Sequence, residues 1–213
     1  MTFTRAIGTV SDKIVVQIVR GLALARIHPN VLTFIGLMIN IVAAVLLASG
    51  RFLAAGLVIV GAGIFDLVDG RVARETNRVT RFGGFFDSVV DRYSDLALLM
   101  GLLVYYGTIN RSLYVVLTAI VMTGSVMISY TRARAENSIP SCKVGFMERP
   151  ERIVLLIIGC LFDRMAAVLW VIAVLANLTV IHRMIFTWQE SRRLEDAQLR
   201  ASAAPRDPVR RLE

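Results

Sequence analysis

Four aspartates within 26 residues, Asp66, Asp69, Asp87 and Asp91, stand in sequence apolar enough for a membrane. An ionised carboxylate in hydrocarbon costs about 2.5–3.5 kcal/mol even on lenient insertion scales. Four together need compensation, and bound divalent cations are the natural compensators. Asp66 and Asp69 are three apart, Asp87 and Asp91 four apart, so on helices each pair shares one face. Two such helices joined by the 75–81 loop would present four carboxylates to one cavity. Hard oxygen ligands in this number suit Mg²⁺ or Mn²⁺, and shared carboxylates suit two ions roughly 3.5–4 Å apart. Gly70 and the Gly83-Gly84 pair let backbone approach a ligand. Ala73 keeps the helix interface thin, and Arg74 can hold a diphosphate in a forked contact. One Asp at a helix end is ordinarily a solvated terminus. Four in paired register are not explained that way. Asp95 extends the face by another turn and is read as a partner for Arg92.

Membrane helices must position these groups. Of 213 residues 56% are hydrophobic, against about 45–50% in a soluble domain, and the mean hydropathy is +0.64. The excess lies in long runs, which predicts an all-α integral membrane protein with six spans. The spans fall near 31–48, 52–74, 85–106, 112–132, 148–161 and 165–186. The fifth is short for a crossing of about 20 residues. Ser11 is a plausible N-cap before an amphipathic pattern, with Ile14, Ile18, Leu22 and Ala25 on one face and Lys13, Gln17 and Arg20 on another. That predicts a helix lying in the headgroup region. The domain layout expected is a cytoplasmic arm with this interfacial helix over 1–28, a catalytic bundle over 29–188, and a charged, partly disordered tail over 189–213.

The net charge is +8 and the pI about 10.3. In a soluble protein this would suggest nucleic acid. Here the arginines alternate between loops, so the positive-inside rule accounts for them and no nucleic-acid partner is expected. Arg51, Arg111 and Arg164 mark three turns on one side. Nearly all other basic residues mark the other, which places both termini and the acidic cluster at the cytoplasmic face of the cell's inner membrane. Cys142 and Cys160 form no ligand or redox pattern. The first residues lack a short apolar run with a cleavage site, so no cleaved signal peptide is expected.

The stretch from Asp66 to Asp91 resembles the signature of the CDP-alcohol phosphotransferase family, D-x2-D-G-x2-A-R-x8-G-x3-D-x3-D. Asp66, Asp69, Gly70, Ala73, Arg74, Gly83, Asp87 and Asp91 occupy every specified position. The resemblance implies transfer of the phosphoryl-containing half of a CDP-linked donor to an alcohol, with CMP leaving. It implies that Asp66, Asp69, Asp87 and Asp91 hold two divalent ions, and that Asp91 also takes the acceptor's proton. Gly70, Arg74, Thr80 and Gly83 would contact the CDP group. Pro29, Asn30, Val31 and Leu32, followed by Thr33, look like the family's P-N-x-L-T element, which lines the donor site. Family members are commonly homodimers, so a homodimer is expected.

The shared motif does not choose the acceptor. The stretches around Thr80–Gly83, Ser129–Glu136 and Met147–Arg152 resemble the bacterial and archaeal branch that uses inositol phosphate. Arg132, Arg134, Arg149 and Arg152 gather near the acidic cluster and could bind a phosphate on the acceptor, although the positive-inside rule alone would also put arginines there. The reading is therefore transfer from CDP-diacylglycerol, or a diether analogue, to inositol 1-phosphate, a phosphorylated polyol. The alternative is phosphatidylglycerol-phosphate synthesis from glycerol 3-phosphate. A divalent-cation transporter also needs intramembrane carboxylates, but nothing acidic lines the outer half of any span. The intact four-Asp set argues against a non-catalytic scaffold.

Overall fold

The computed structural model describes residues 29–75 and 80–203, with side chains at 30–66 and 80–200. The expected interfacial helix within 1–28 lies outside the described residues, as do 76–79 and 204–213. Among the described residues the chain forms six helices and no strand. These are α1 (Pro29–Ala48), α2 (Phe52–Glu75), α3 (Arg81–Thr108), α4 (Ser112–Ala135), α5 (Arg149–Leu161) and α6 (Met165–Ala203).

Three stretches, Asn30–Ala48, Ser112–Ala135 and Met165–Arg200, are long and apolar enough to cross a membrane. Helix α2 contributes a shorter apolar segment, Phe52–Asp66. Helix α3 has the length, 28 residues, but Asp91, Arg92 and Asp95 interrupt its apolar run. Helix α5 has 13 residues and so spans about 20 Å at 1.5 Å per residue.

Helix α1 packs on α2 and α3, α3 on α4, α4 on α6, α6 on α5, and α5 on α2. The bundle is thus a ring in the order α1, α2, α5, α6, α4, α3. Leu47, Ile59, Leu98, Leu102, Val121, Leu169 and Ile172 fill its core. Val42, Val45, Leu53, Leu57, Val116 and Ile181 are exposed on its outside, as expected where the surroundings are also apolar. The α1–α3 crossing is close because Gly101 lies against the Ala44 carbonyl, where a Cβ would clash.

The three turns marked by single arginines share one construction. Gly50, Asn110 and Asp163 have positive φ values of 72°, 55° and 52°. The next residue in each case returns its N–H to a carbonyl of the helix just ended: Arg51 to Leu46 at 2.9 Å, Arg111 to Tyr106 at 2.9 Å and Arg164 to Gly159 at 3.0 Å. This closure satisfies carbonyls a helix end leaves open.

Two boundaries differ from the sequence reading. Helix α3 begins at Arg81 rather than near 85, because Thr80 is its N-cap and accepts a hydrogen bond from the Gly83 N–H at 2.9 Å. The cap outweighs two glycines, which sit inside the helix. Helix α6 continues to Ala203, through much of the tail expected to be partly disordered. Residues 189–200 are rich in Glu, Gln, Arg, Leu and Ala, which favour helix. Phe186 and Leu194 also pack against the Ile139–Cys142 cluster of the preceding loop.

Helix α6 carries both tryptophans, Trp170 and Trp188, and both are exposed. Eighteen residues separate them, about 27 Å and five full turns, so they share one face at a spacing near a hydrocarbon thickness. Arg192 stacks over the Trp188 ring, 4.5 Å from its centroid.

Candidate active site

The start of α5 aims two arginines at the aspartates. Glu151 accepts a hydrogen bond from the Glu148 N–H at 2.9 Å, and Pro150 suits the first turn. Arg149 and Arg152, three apart, then share a face. The Arg149 guanidinium meets three carboxylates: Asp66 of α2 at 2.9 Å, Asp91 of α3 at 3.0 Å and Asp95 at 3.2 Å. Arg152 meets the other oxygen of Asp95 at 2.5 Å.

These pairs correct the reading of Asp95 as a partner for Arg92. Asp95 is 6% exposed, and a carboxylate so buried needs charged donors. The two guanidiniums of α5 supply them, while Arg92 turns back along its own helix and donates to the Ser88 carbonyl.

Of the four predicted metal aspartates, Asp66 and Asp91 converge from different helices on one cationic group. Asp87 is exposed one turn before Asp91. Asp69, Gly70, Ala73 and Arg74 lie in the last turns of α2, with side chains outside the described residues. Among the described side chains no group of three or more His, Cys, Asp or Glu forms a cation cage. The donor chemistry nonetheless fits a hard divalent ion, since every donor is a carboxylate oxygen. Space is reserved beside it: a Cβ on Gly36 of α1 would sit 3.1 Å from Asp66 Oδ1.

Apart from Gly70 and Arg74 of α2, the predicted donor-site residues fall on two helix starts that meet. A Cβ on Gly83 would lie 3.0 Å from Thr80 Oγ1 and 3.5 Å from Asn30 Oδ1, so the start of α1 adjoins the start of α3. Val31 is exposed, whereas Leu32 is 2% exposed and packs inward. Pro29 opens α1. Thr80 spends one acceptor position on its cap, leaving its proton and a second lone pair.

Beside the aspartates lies a cavity of ≈120 Å³, lined in part by Ser129, Arg132, Glu148, Arg149, Arg152 and Arg183. Three of the four predicted acceptor arginines are therefore at one cavity. Arg134 is exposed and is not in its lining. Arg132 pairs with Glu136 at 3.1 Å and Glu148 at 3.4 Å. The first of these contacts holds the Glu136 carboxyl below its ordinary range.

Sequence reading counted Arg183 only as a basic residue. It is 1% exposed and donates to the Ile128 and Val144 carbonyls and to Glu148. An arginine inside the sixth apolar run was the available signal, because intramembrane charge is functional by default. Gly36, Glu148 and Thr179 carried no such mark.

The family model described as CDP-alcohol phosphatidyltransferase matches residues 26–190. The chain belongs to this family. It is therefore an enzyme of the transferase class, and the transporter alternative is set aside. The archaetidylinositol phosphate synthase of Pyrococcus horikoshii is 36% identical over 180 residues, covering 84% of this chain and 92% of that protein. Among solved structures, the phosphatidylinositol phosphate synthase of Mycobacterium tuberculosis with CDP-DAG bound superposes with a TM-score of 0.76. It is 34% identical, with 83% of this chain and 94% of that one covered. A crystal structure of the same enzyme with manganese and citrate gives a TM-score of 0.75 at 33% identity, with 82% and 88% covered. The match of this family member to inositol-phosphate enzymes agrees with the branch expected from the sequence.

Proposed function

We propose that this chain transfers the phosphatidyl group of CDP-diacylglycerol, or a diether analogue, to a hydroxyl of inositol 1-phosphate, giving phosphatidylinositol phosphate and CMP. The observation that carries the reading is Arg149. One guanidinium touches Asp66 and Asp91 and also lines the arginine-rich cavity beside them. A phosphorylated acceptor seated there brings its hydroxyl to Asp91. The relatives named as inositol-phosphate enzymes favour inositol phosphate over glycerol 3-phosphate.

In this reading Asp66, Asp69, Asp87 and Asp91 hold two divalent ions, Mg²⁺ or Mn²⁺. When bound, such ions neutralise the diphosphate and the charge growing on departing CMP. The chain's own groups do the rest. Asp91 takes the proton from the acceptor hydroxyl as its oxygen bonds to phosphorus and the bond to CMP breaks. Asn30, Gly70, Arg74, Thr80 and Gly83 orient the CDP group where the starts of α1 and α3 meet, and Pro29, Val31 and Leu32 shape that wall. Arg132, Arg149 and Arg152 hold the acceptor phosphate, with Arg134 at the rim.

All six helices act as membrane spans, preceded by the interfacial helix, in a homodimer in the inner membrane. The active site and both termini face the cytoplasm, supported by the clustering of basic residues on that side. The test is CMP release by purified protein with CDP-diacylglycerol and Mg²⁺, comparing inositol 1-phosphate, glycerol 3-phosphate, inositol and serine. Release with inositol 1-phosphate alone is expected. Release with glycerol 3-phosphate instead would keep the chemistry and overturn the acceptor.

A further inference from the structure

The segment between α4 and α5 ends at Glu148, just before Arg149 opens α5, and it is held by α6. Thr179 is fully buried. Its hydroxyl oxygen accepts the N–H groups of both Phe146 and Met147 at 3.1 Å, and its proton goes to the Leu175 carbonyl at 2.8 Å. Gly145 has φ +139°, and a Cβ there would collide with Thr179 Cγ2. Four residues along, one turn of α6 away, Arg183 holds the Val144 carbonyl at 2.8 Å and Glu148 at 2.9 Å. Backbone groups of three consecutive residues, 145–147, thus meet one threonine side chain. The next two residues are Glu148, which contacts Arg132, and Arg149, which contacts Asp66 and Asp91.

We infer that Thr179 is a positioning residue for the acceptor side of the site: a latch on α6 that sets where the 145–149 segment presents Glu148 and Arg149. This rests on the proposed function. Thr179 is not in the lining of the arginine-rich cavity, so its effect passes through the backbone of 146 and 147, whose N–H groups its hydroxyl accepts. The hydroxyl satisfies two N–H groups that would otherwise be without an acceptor, and an unmet buried donor shifts its segment or pays for desolvation. Valine has nearly the shape of threonine without the oxygen, whereas serine keeps the oxygen without the methyl that faces Gly145. The described donor-side residues lie at the starts of α1 and α3, whereas this latch joins α6 to the segment before α5.

The experiment compares full-length wild type, Thr179→Val and Thr179→Ser in detergent, measuring CMP release against acceptor and CDP-diacylglycerol concentrations in turn. Thr179→Val should raise the acceptor KM by roughly tenfold, the equivalent of about one hydrogen bond, with kcat and the donor KM within about twofold. Thr179→Ser should restore the acceptor KM. An unchanged acceptor KM in Thr179→Val, or a loss shared equally by kcat and the donor KM, would overturn the latch. Wild type is assayed in the same preparation with inositol 1-phosphate and glycerol 3-phosphate. If it uses neither, the proposed function falls and the latch with it; if it is active and the valine variant matches it, the latch alone falls.

Discussion

Asp95 of α3 and Arg152 of α5 form a 2.5 Å ion pair at 8% and 6% side-chain exposure, one turn of α3 beyond Asp91, which meets Arg149. Two guanidiniums share this one buried carboxylate, so α5 is fixed to α3 by charge where the chemistry is placed. Removing one partner of such a group leaves charge uncompensated. Asp95→Asn should destabilise the protein by about 3–5 kcal/mol, read as earlier loss of monodisperse protein on heating in detergent. Pairing it with Arg152→Met should recover part of that loss, as expected for residues in direct contact. Strictly additive effects would mean the pair is not coupled.

Asp91→Asn should lower CMP release by at least about 10²-fold, the lower end of general-base contributions, while the variant still elutes as folded protein. The side chain is near in shape, and Arg149 keeps Asp66 and Asp95 as partners. A variant turning over at the wild-type rate would remove Asp91 from the proton step.

Chelation should abolish CMP release, and adding back Mg²⁺ or Mn²⁺ should restore it, because the carboxylates at Asp66 and Asp91 offer only hard oxygen donors. Activity that survives exhaustive EDTA treatment would refute the metal reading. A relative bound to manganese makes Mn²⁺ the first ion to add back.

Arg183→Lys should be far from neutral. Lysine cannot present three differently directed donors to Ile128, Val144 and Glu148 in a fixed fork. A loss of roughly 2–3 kcal/mol in stability is expected from the buried carbonyls left unmet. Thermal inactivation of the two proteins side by side measures it, and matching curves would contradict the geometry.

Gly101→Ala should weaken the α1–α3 crossing by about 1–3 kcal/mol, the usual penalty of overpacking. The new methyl would press on the Ala44 carbonyl, which is rigid helix backbone and not a yielding side chain. Gly63→Ala, with no described residue near its would-be Cβ, is the matched control and should change little.

The aspartate spacing was readable because a helix converts intervals of three and four into a shared face. The same arithmetic placed most helix boundaries within a few residues. It failed at Thr80, where one hydroxyl overruled two glycines, and beyond Phe186, where helix-forming residues and packing on Ile139 and Cys142 extend α6. Partners distant in sequence were not readable. Asp95 was matched with its neighbour Arg92, whereas its actual partners lie 54 and 57 residues away. Thr179 has no periodic or compositional mark, since its role depends on which backbone segment folds over it.

The ring order gives α5 its two neighbours from opposite ends of the chain, α2 before it and α6 after it. During synthesis α1 is followed by the two helices bearing the aspartates, and both pack on α1. The 145–149 segment then waits for some thirty further residues before Thr179 and Arg183 exist to hold it. The residues proposed to hold the metal are thus translated before the two residues of α6 that hold the 145–149 segment. A nascent or truncated chain ending before α6 would carry all four aspartates and Arg149 but neither Thr179 nor Arg183, the two side chains that hold the segment leading to Arg149.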